Sequence, residues 1–236
     1  MTVRVFDVPR TLLFLVIFYL GSILLVLGAL LALPVGGRPF RAMVHGWSGY
    51  HRICARYILG IRVKIEGSVP SGSVLIALKH ESFYEAIDLP TLLPHPVVFA
   101  KAQLIRLPLW GRAAASYGVV PVERDQGAKA LRAMVTSARA WSVNGRPLAI
   151  FPEGTRVPHG TRPPLQAGFA GLYKLMGLPV IAVAVNSGPL YHRFWKRPGT
   201  ITVRFSDPIP AGLPRDEIEA KVHVAINALN ADAPLP

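Results

Sequence analysis

Two short stretches of this chain hold residues whose types and spacing suit chemistry. In His80-Glu81-Ser82-Phe83-Tyr84-Glu85 an imidazole is followed, five positions on, by a carboxylate. An imidazole held by a carboxylate can take a proton from a hydroxyl near neutral pH. Positions five apart fall on different faces of one continuous helix, so the pair meets only if the histidine lies outside a helix and the chain folds back. The flanking residues predict that arrangement. Residues 73–78 form an apolar run that reads as a buried strand. Ser82 has the type of a helix N-cap, and Glu85 follows it at capping-box spacing. His80 then sits in the turn at the carboxyl end of a strand, where α/β sheets bind ligands. The same spacing also supports a simpler reading, in which Glu85 only closes the capping box and His80 is a solvated loop histidine.

The second stretch is Phe151-Pro152-Glu153-Gly154-Thr155-Arg156, directly after the apolar run 147–151. A guanidinium at Arg156 can hold a phosphate bidentately, and Glu153 can accept a hydrogen bond from a substrate hydroxyl. Alone, this stretch reads as a turn. Lys101 follows a short apolar run at 97–99, and Arg124 closes another at 118–122. Lone surface cations are ordinary; strand after strand ending in a cation, beside one ending in a histidine, is not.

The elements that must position these residues alternate. Strand patterns fall at 61–66, 73–78, 97–99, 118–122, 147–151, 179–185 and 200–205, and helical patterns at 126–143, 167–176 and 215–229. Strands alternating with helices predict an α/β domain. Ahead of it lies a different kind of sequence. Residues 11–33 carry no charged side chain; at about 1.5 Å per residue they can cross a bilayer core of roughly 30 Å. A cleaved signal peptide is the rival reading, though its apolar region is usually shorter. Pro34, Gly36, Gly37 and Pro39 break the helix, and residues 40–59 resume as a basic amphipathic pattern with Arg41, Arg52 and Arg56. Such a helix lies among lipid headgroups, or packs as an ordinary surface helix on the domain. Arg4 and Arg10 before the apolar run, and Arg38 and Arg41 after it, set no orientation and suit a hairpin in one leaflet as well as a span. The expected division is a membrane-anchoring hairpin at 1–59 and a catalytic domain at 60–236.

Composition narrows the partners. The 236 residues are 51% hydrophobic and only 17% charged, with a formal net charge of +13. Excess cation suits nucleic acid or an anionic membrane. No zinc-finger, RNA-binding or basic-zipper pattern occurs, and the basic residues are scattered, so the membrane is favoured and nucleic acid is not expected as a partner. Cys54 is the sole cysteine, which excludes an internal disulfide. No His/Cys or carboxylate cluster has metal-ligand spacing.

Taken in order, His80 with Glu85, Lys101 with 118–124, the block 151–156 and the apolar strand 179–185 are similar to the four motifs of the glycerolipid acyltransferases. Within these the chain resembles the bacterial 1-acylglycerol-3-phosphate (lysophosphatidic acid) acyltransferases. The resemblance covers roughly residues 60–190, and the two-helix N-terminus fits it. It departs at Glu85, where the family usually has aspartate, and at Ala182, where a second proline is common. The resemblance implies an α/β fold with a mixed sheet flanked by helices and a membrane-embedded two-helix motif. It implies His80 as general base and Glu85 as its partner. Lys101, Arg124 and Arg156 would hold the acceptor phosphate and Glu153 the glycerol, with Gly154 and Thr155 in the same binding block. No cofactor is implied beyond an acyl-CoA or acyl-carrier-protein thioester as co-substrate. Lysophosphatidic acid and membrane lipids are the implied partners, at the inner membrane with the catalytic domain on its cytoplasmic face. Another lyso-lipid as acceptor, such as a lyso-ornithine lipid, or a non-catalytic basic membrane binder are the alternatives; a mere binder has no use for a general base.

Overall fold

The computed structural model describes residues 4–108, 110–123, 127–142 and 144–230. Among them the strands β1 (Ile61–Glu66), β2 (Leu75–Leu78), β3 (Val97–Lys101), β4 (Val119–Val122), β5 (Leu148–Ile150), β6 (Val180–Val185) and β7 (Gly199–Phe205) form one sheet in the order β1-β7-β6-β2-β5-β3-β4. Neighbours pair in parallel except β6 with β7, so the sheet is mixed, as the resemblance implied. The carboxyl ends of β2, β5, β3 and β4 therefore lie side by side along one edge, about 4.8 Å apart per step. Those are the strands whose ends carry the residues singled out above.

Helices cover both faces. They are α1 (Asp7–Ala32), α2 (Gly37–Tyr57), α3 (Phe83–Leu92), α4 (Ala102–Ile105), α5 (Trp110–Tyr117), α6 (Gly127–Ser142), α7 (Ala167–Met176), α8 (Gly188–Tyr191) and α9 (Arg215–Ile226). Strand residues alternate between the faces. Ile76, Leu78, Ile181 and Val183 share a core with Phe14 and Phe18 of α1, Cys54 and Ala55 of α2, and Tyr84 of α3. Leu75, Ala77, Val180 and Ala182 share the opposite core with Met134 of α6, Phe169 of α7 and Ile218 of α9. Strands buried on both sides read as continuous apolar runs, which is why they were legible.

The N-terminal hairpin differs in part from expectation. α1 starts at Asp7, before the uncharged run begins, because its first turn tolerates a polar residue and Pro9. Pro39 does not break α2; it sits in the first turn, where its missing N–H is no loss. α2 was expected to lie in the headgroup layer or to pack on the domain, and its inner side packs. It buries Phe40, Ser48, His51, Cys54 and Ala55. Arg52 reaches α3 and holds Asp88 bidentately at 2.8 and 2.5 Å. The helices of the hairpin close tightly at Gly21, where any Cβ would collide with the Tyr50 ring. The Tyr50 hydroxyl donates to the Ile17 carbonyl at 2.6 Å there. The outer side of α1 is left bare, with Leu12, Val16, Leu20, Leu24, Leu27 and Leu31 all more than half exposed. Among the described residues α1 is the one helix long and apolar enough to cross a membrane. Three short helices, α4, α5 and α8, carried no sequence pattern of their own.

Candidate active site

His80 leaves β2 in the turn before α3, as predicted. Ser82 caps that helix in extended conformation; its hydroxyl accepts from Tyr84 N–H at 3.0 Å, and Glu85 completes the capping box. The box and the histidine do not compete for Glu85. Its Oε1 accepts from the N–H groups of Glu81 at 2.5 Å and Ser82 at 2.6 Å, and lies 3.0 Å from His80 Nδ1. Its Oε2 accepts from the hydroxyls of Ser82 at 2.9 Å and Ser187 at 2.6 Å. The extra methylene relative to aspartate is taken up by this fold-back. Burial by itself raises a carboxyl's pKa, but the hydrogen bond and charge of His80, then Ser187 and the Ser82 N–H, outweigh it and hold Glu85 below the ordinary carboxylate range. When the imidazole is neutral, an ionised Glu85 selects the tautomer with the proton on Nδ1, which leaves the lone pair on Nε2. The His80 ring stacks on Phe151 with centroids 4.0 Å apart and 23° between planes, which sets its orientation, and its side chain retains 15% exposure. Both nearby rival carboxylates are occupied elsewhere. Asp88 belongs to Arg52. Glu81 turns away to His159 Nδ1 at 2.8 Å and to Gly188 N–H at 2.8 Å.

Glu153 follows β5, the strand beside β2. Its side chain is fully buried and its Oε1 lies 2.6 Å from Lys79 Nζ, which is equally buried. Its Oε2 accepts from the His80 N–H at 3.4 Å. Lys79 also donates to the Thr161 carbonyl at 3.0 Å and to Asn227 Oδ1 of the segment just after α9 at 2.8 Å. A fully buried ammonium requires such partners. In this structure Glu153 therefore ties the β2 and β5 turns together, and both its oxygens are engaged within the protein. Gly154 turns the chain with φ of 72°, a conformation that favours glycine, and its N–H donates to the Phe151 carbonyl. The turn delivers Thr155 and Arg156 to the surface, where the Arg156 guanidinium lies 4.0 Å above the Phe83 ring. Phe83 opens α3, so Arg156 stands beside the His80 turn. Lys101 ends β3, two strands from β2, and is exposed. Arg124 lies outside the described residues.

Several members of the site were not singled out from sequence. Lys79 was legible: as the next odd position after Leu75 and Ala77 it must point into the α9-side core, and a lysine there demands an anion. Ser187 and His159 had no local signal, since Ser187 reaches Glu85 across 102 residues and His159 reaches Glu81 across 78.

Comparison with known proteins bears on this geometry. A profile of the family described as Acyltransferase matches residues 60–186. A 1-acyl-sn-glycerol-3-phosphate acyltransferase of Pseudomonas aeruginosa is 31% identical over 173 residues, covering 70% of this chain and 67% of that protein. The human 1-acyl-sn-glycerol-3-phosphate acyltransferase alpha is 28% identical over 176 residues, covering 70% of this chain and 61% of its own length. The crystal structure of the 1-acyl-sn-glycerophosphate (LPA) acyltransferase of Thermotoga maritima superposes with a TM-score of 0.75 at 20% identity, over 97% of this chain and all of that one. At that identity the match establishes a shared fold.

Proposed function

The chain belongs to the acyltransferase family, and from that premise we propose that it transfers an acyl group to the free sn-2 hydroxyl of a 1-acylglycerol-3-phosphate, making phosphatidic acid. The donor is a thioester of coenzyme A or acyl carrier protein, and no further cofactor takes part. The observation that carries this reading is the His80–Glu85 pair, with Nδ1 held and Nε2 left to meet a substrate. Nε2 takes the hydroxyl proton as the acceptor oxygen attacks the thioester carbonyl. The tetrahedral intermediate collapses with cleavage of the C–S bond, and the imidazolium returns the proton to the leaving thiolate. Ionised Glu85 stabilises the imidazolium in between. The acceptor oxygen is itself the nucleophile, so no acyl-enzyme is needed, and Ser82 is committed to its cap and to Glu85.

Arg156, with Lys101 and Arg124, holds the acceptor phosphate; the exposed position of Arg156 beside the His80 turn supports this. Glu153, whose oxygens are engaged by Lys79 and by the backbone of His80, acts on the shape of that turn rather than on the glycerol. Gly154 and Thr155 shape and present the binding loop. The bare side of α1 sits in the inner membrane, and the catalytic domain faces the cytoplasm, where thioester donors are found. The test is release of free thiol by the purified full-length chain, with each donor, against lysophosphatidate, monoacylglycerol and lyso-ornithine lipid. Release that depends on lysophosphatidate supports the reading; release with only a phosphate-free acceptor, or none with any, overturns it.

A further inference from the structure

A second aromatic and basic surface lies away from the hairpin in sequence and against it in space. Between α8 and β7 the chain reads Arg193-Phe194-Trp195-Lys196-Arg197. Phe194 is 80% exposed and sits edge-on to Trp195, with ring centroids 4.6 Å apart. A single exposed aromatic is ordinary on a protein surface. What distinguishes this one is where the fold fastens it. Lys196 N–H donates to Thr11 Oγ1 at 2.9 Å, and Arg197 pairs with Asp7 at 3.5 Å. Both anchors belong to the first turns of α1. On the α1 side of that junction Val5 is 83% and Phe6 73% exposed, and Arg4 and Arg10 are exposed as well. The loop is thus held at the level where the bare apolar side of α1 begins.

Aromatic rings interleaved with cations at the end of an apolar segment match the headgroup layer of a bilayer. The rings tolerate its mixed polarity, and guanidinium groups meet anionic phosphates. The loop's ammonium is committed internally: Lys196 Nζ lies 4.3 Å over the Tyr191 ring and near the Tyr191 and Arg193 carbonyls. Lipid contact therefore falls to Phe194, Trp195 and Arg193 together with Arg4 and Arg10.

We propose that the loop Arg193–Arg197 is a second lipid contact, made by the catalytic domain itself with an anionic membrane surface and continuous with the start of α1. It rests on the reading of α1 as membrane-inserted. Two fixed points, one in the hairpin and one in the loop, hold the catalytic domain at a set height and tilt. Only α8 and its C-cap His192 separate this loop from Ser187, the donor to Glu85.

The test uses the full chain with Cys54→Ala and one new cysteine carrying an environment-sensitive fluorophore. The site is Phe194→Cys or, as a control, Val224→Cys; Val224 is 72% exposed on α9, against the other face of the sheet. Both proteins are reconstituted with vesicles of phosphatidylcholine, with or without phosphatidylglycerol. On phosphatidylglycerol vesicles the label at 194 should shift to the blue and lose most of its quenching by a neutral aqueous quencher, while the label at 224 stays in water. A 194 label as wet as the 224 label on chains that float with the vesicles overturns the loop contact and leaves α1 insertion standing. Chains that do not float overturn both. Equal shielding at 194 on pure phosphatidylcholine removes the anionic requirement.

Discussion

Two imidazole–carboxylate pairs lie within a few residues of each other in this fold, and both join Nδ1 to Oε1, at 3.0 Å for His80–Glu85 and 2.8 Å for His159–Glu81. Their histidines are almost equally exposed, at 15% and 16%. The carboxylates are not alike. Glu85 stands in the first turn of α3 and gathers backbone and hydroxyl donors on both oxygens. Glu81 has its histidine and the Gly188 N–H. The result is opposite in sign. Burial raises the Glu81 carboxyl, and His159 and Gly188 do not overcome it; Glu85 is held low. The distance within a pair therefore does not set the charge state of its carboxylate. At Glu85 the hydrogen bond and charge of His80, followed by Ser187 and the Ser82 N–H, outweigh burial; at Glu81 burial prevails over His159 and Gly188.

The sharpest way to break this comparison is to remove each imidazole in turn. His80→Ala should lower turnover at saturating donor and acceptor by about 10²–10⁴-fold with circular dichroism unchanged. His159→Ala removes a structural hydrogen bond and should lose less than about tenfold. Equal losses would mean that both pairs take part in proton transfer.

The carboxylates come next. Glu85→Gln keeps the shape, and the serine hydroxyls can turn to meet the new amide, but the charge is gone; most of the His80 factor should go with it. Glu81→Gln should leave most turnover. Stability against pH separates them further. The Glu85 carboxyl is depressed in the fold, so its stabilisation is full above the unfolded value of about 4.3 and is lost as pH falls through the folded value. The Glu81 carboxyl is raised, so its contribution is present below about 4.3 and is lost as pH rises through the folded value. Denaturant titrations at neutral and acid pH should show Glu85→Gln most destabilising near neutrality and Glu81→Gln least so there. The reverse order would sink the assignment.

Arg156→Ala should reduce kcat/KM for lysophosphatidate by about one to two orders of magnitude, the loss of one charge-assisted contact of roughly 1.5–3 kcal/mol. A phosphate-free acceptor, if turned over, should be hurt far less; matched losses would take Arg156 out of phosphate binding.

The smallest catalytic effect is expected at Asp88. Burial raises its carboxyl despite Arg52, and it faces α2 rather than His80. Asp88→Asn should leave turnover within about threefold while lowering stability by about 1–3 kcal/mol. A crippled enzyme of normal stability would mean that Asp88, not Glu85, serves His80.

The central strands β2, β5 and β6 were legible because they are short and apolar on both faces, β1 because its apolar residues alternate with charged ones, and the mixed character of the sheet came from the family resemblance. The His80 turn was legible for a local reason: Ser82 and Glu85 stand at capping distance, so the fold-back is written within a few residues. Local reasoning stopped where partners come from afar. Asp88, three residues beyond Glu85, is held by Arg52 of α2, which no local pattern shows, and local reasoning offered Glu153 to the substrate because it did not pair it with Lys79. Ser187 and His159 reach the turn from later segments that carry no periodic signal. α2 read as a headgroup helix because its basic positions are plain in sequence, while the partners of its inner side, α1 and α3, are not.

The buried ammonium of Lys79 also orders events in time. Its partners arrive in sequence: Glu153, then the Thr161 carbonyl, then Asn227. β2 is synthesised long before them, yet it cannot settle Lys79 into the core while that charge lacks its acceptors. A nascent chain that has emerged only through α3 holds His80, Glu85 and the local capping box, but none of the acceptors that seat Lys79. The seat of Lys79, the residue before His80, is complete only when the segment after α9 has been made and docked, so the last acceptor beneath this turn is also the last to be synthesised.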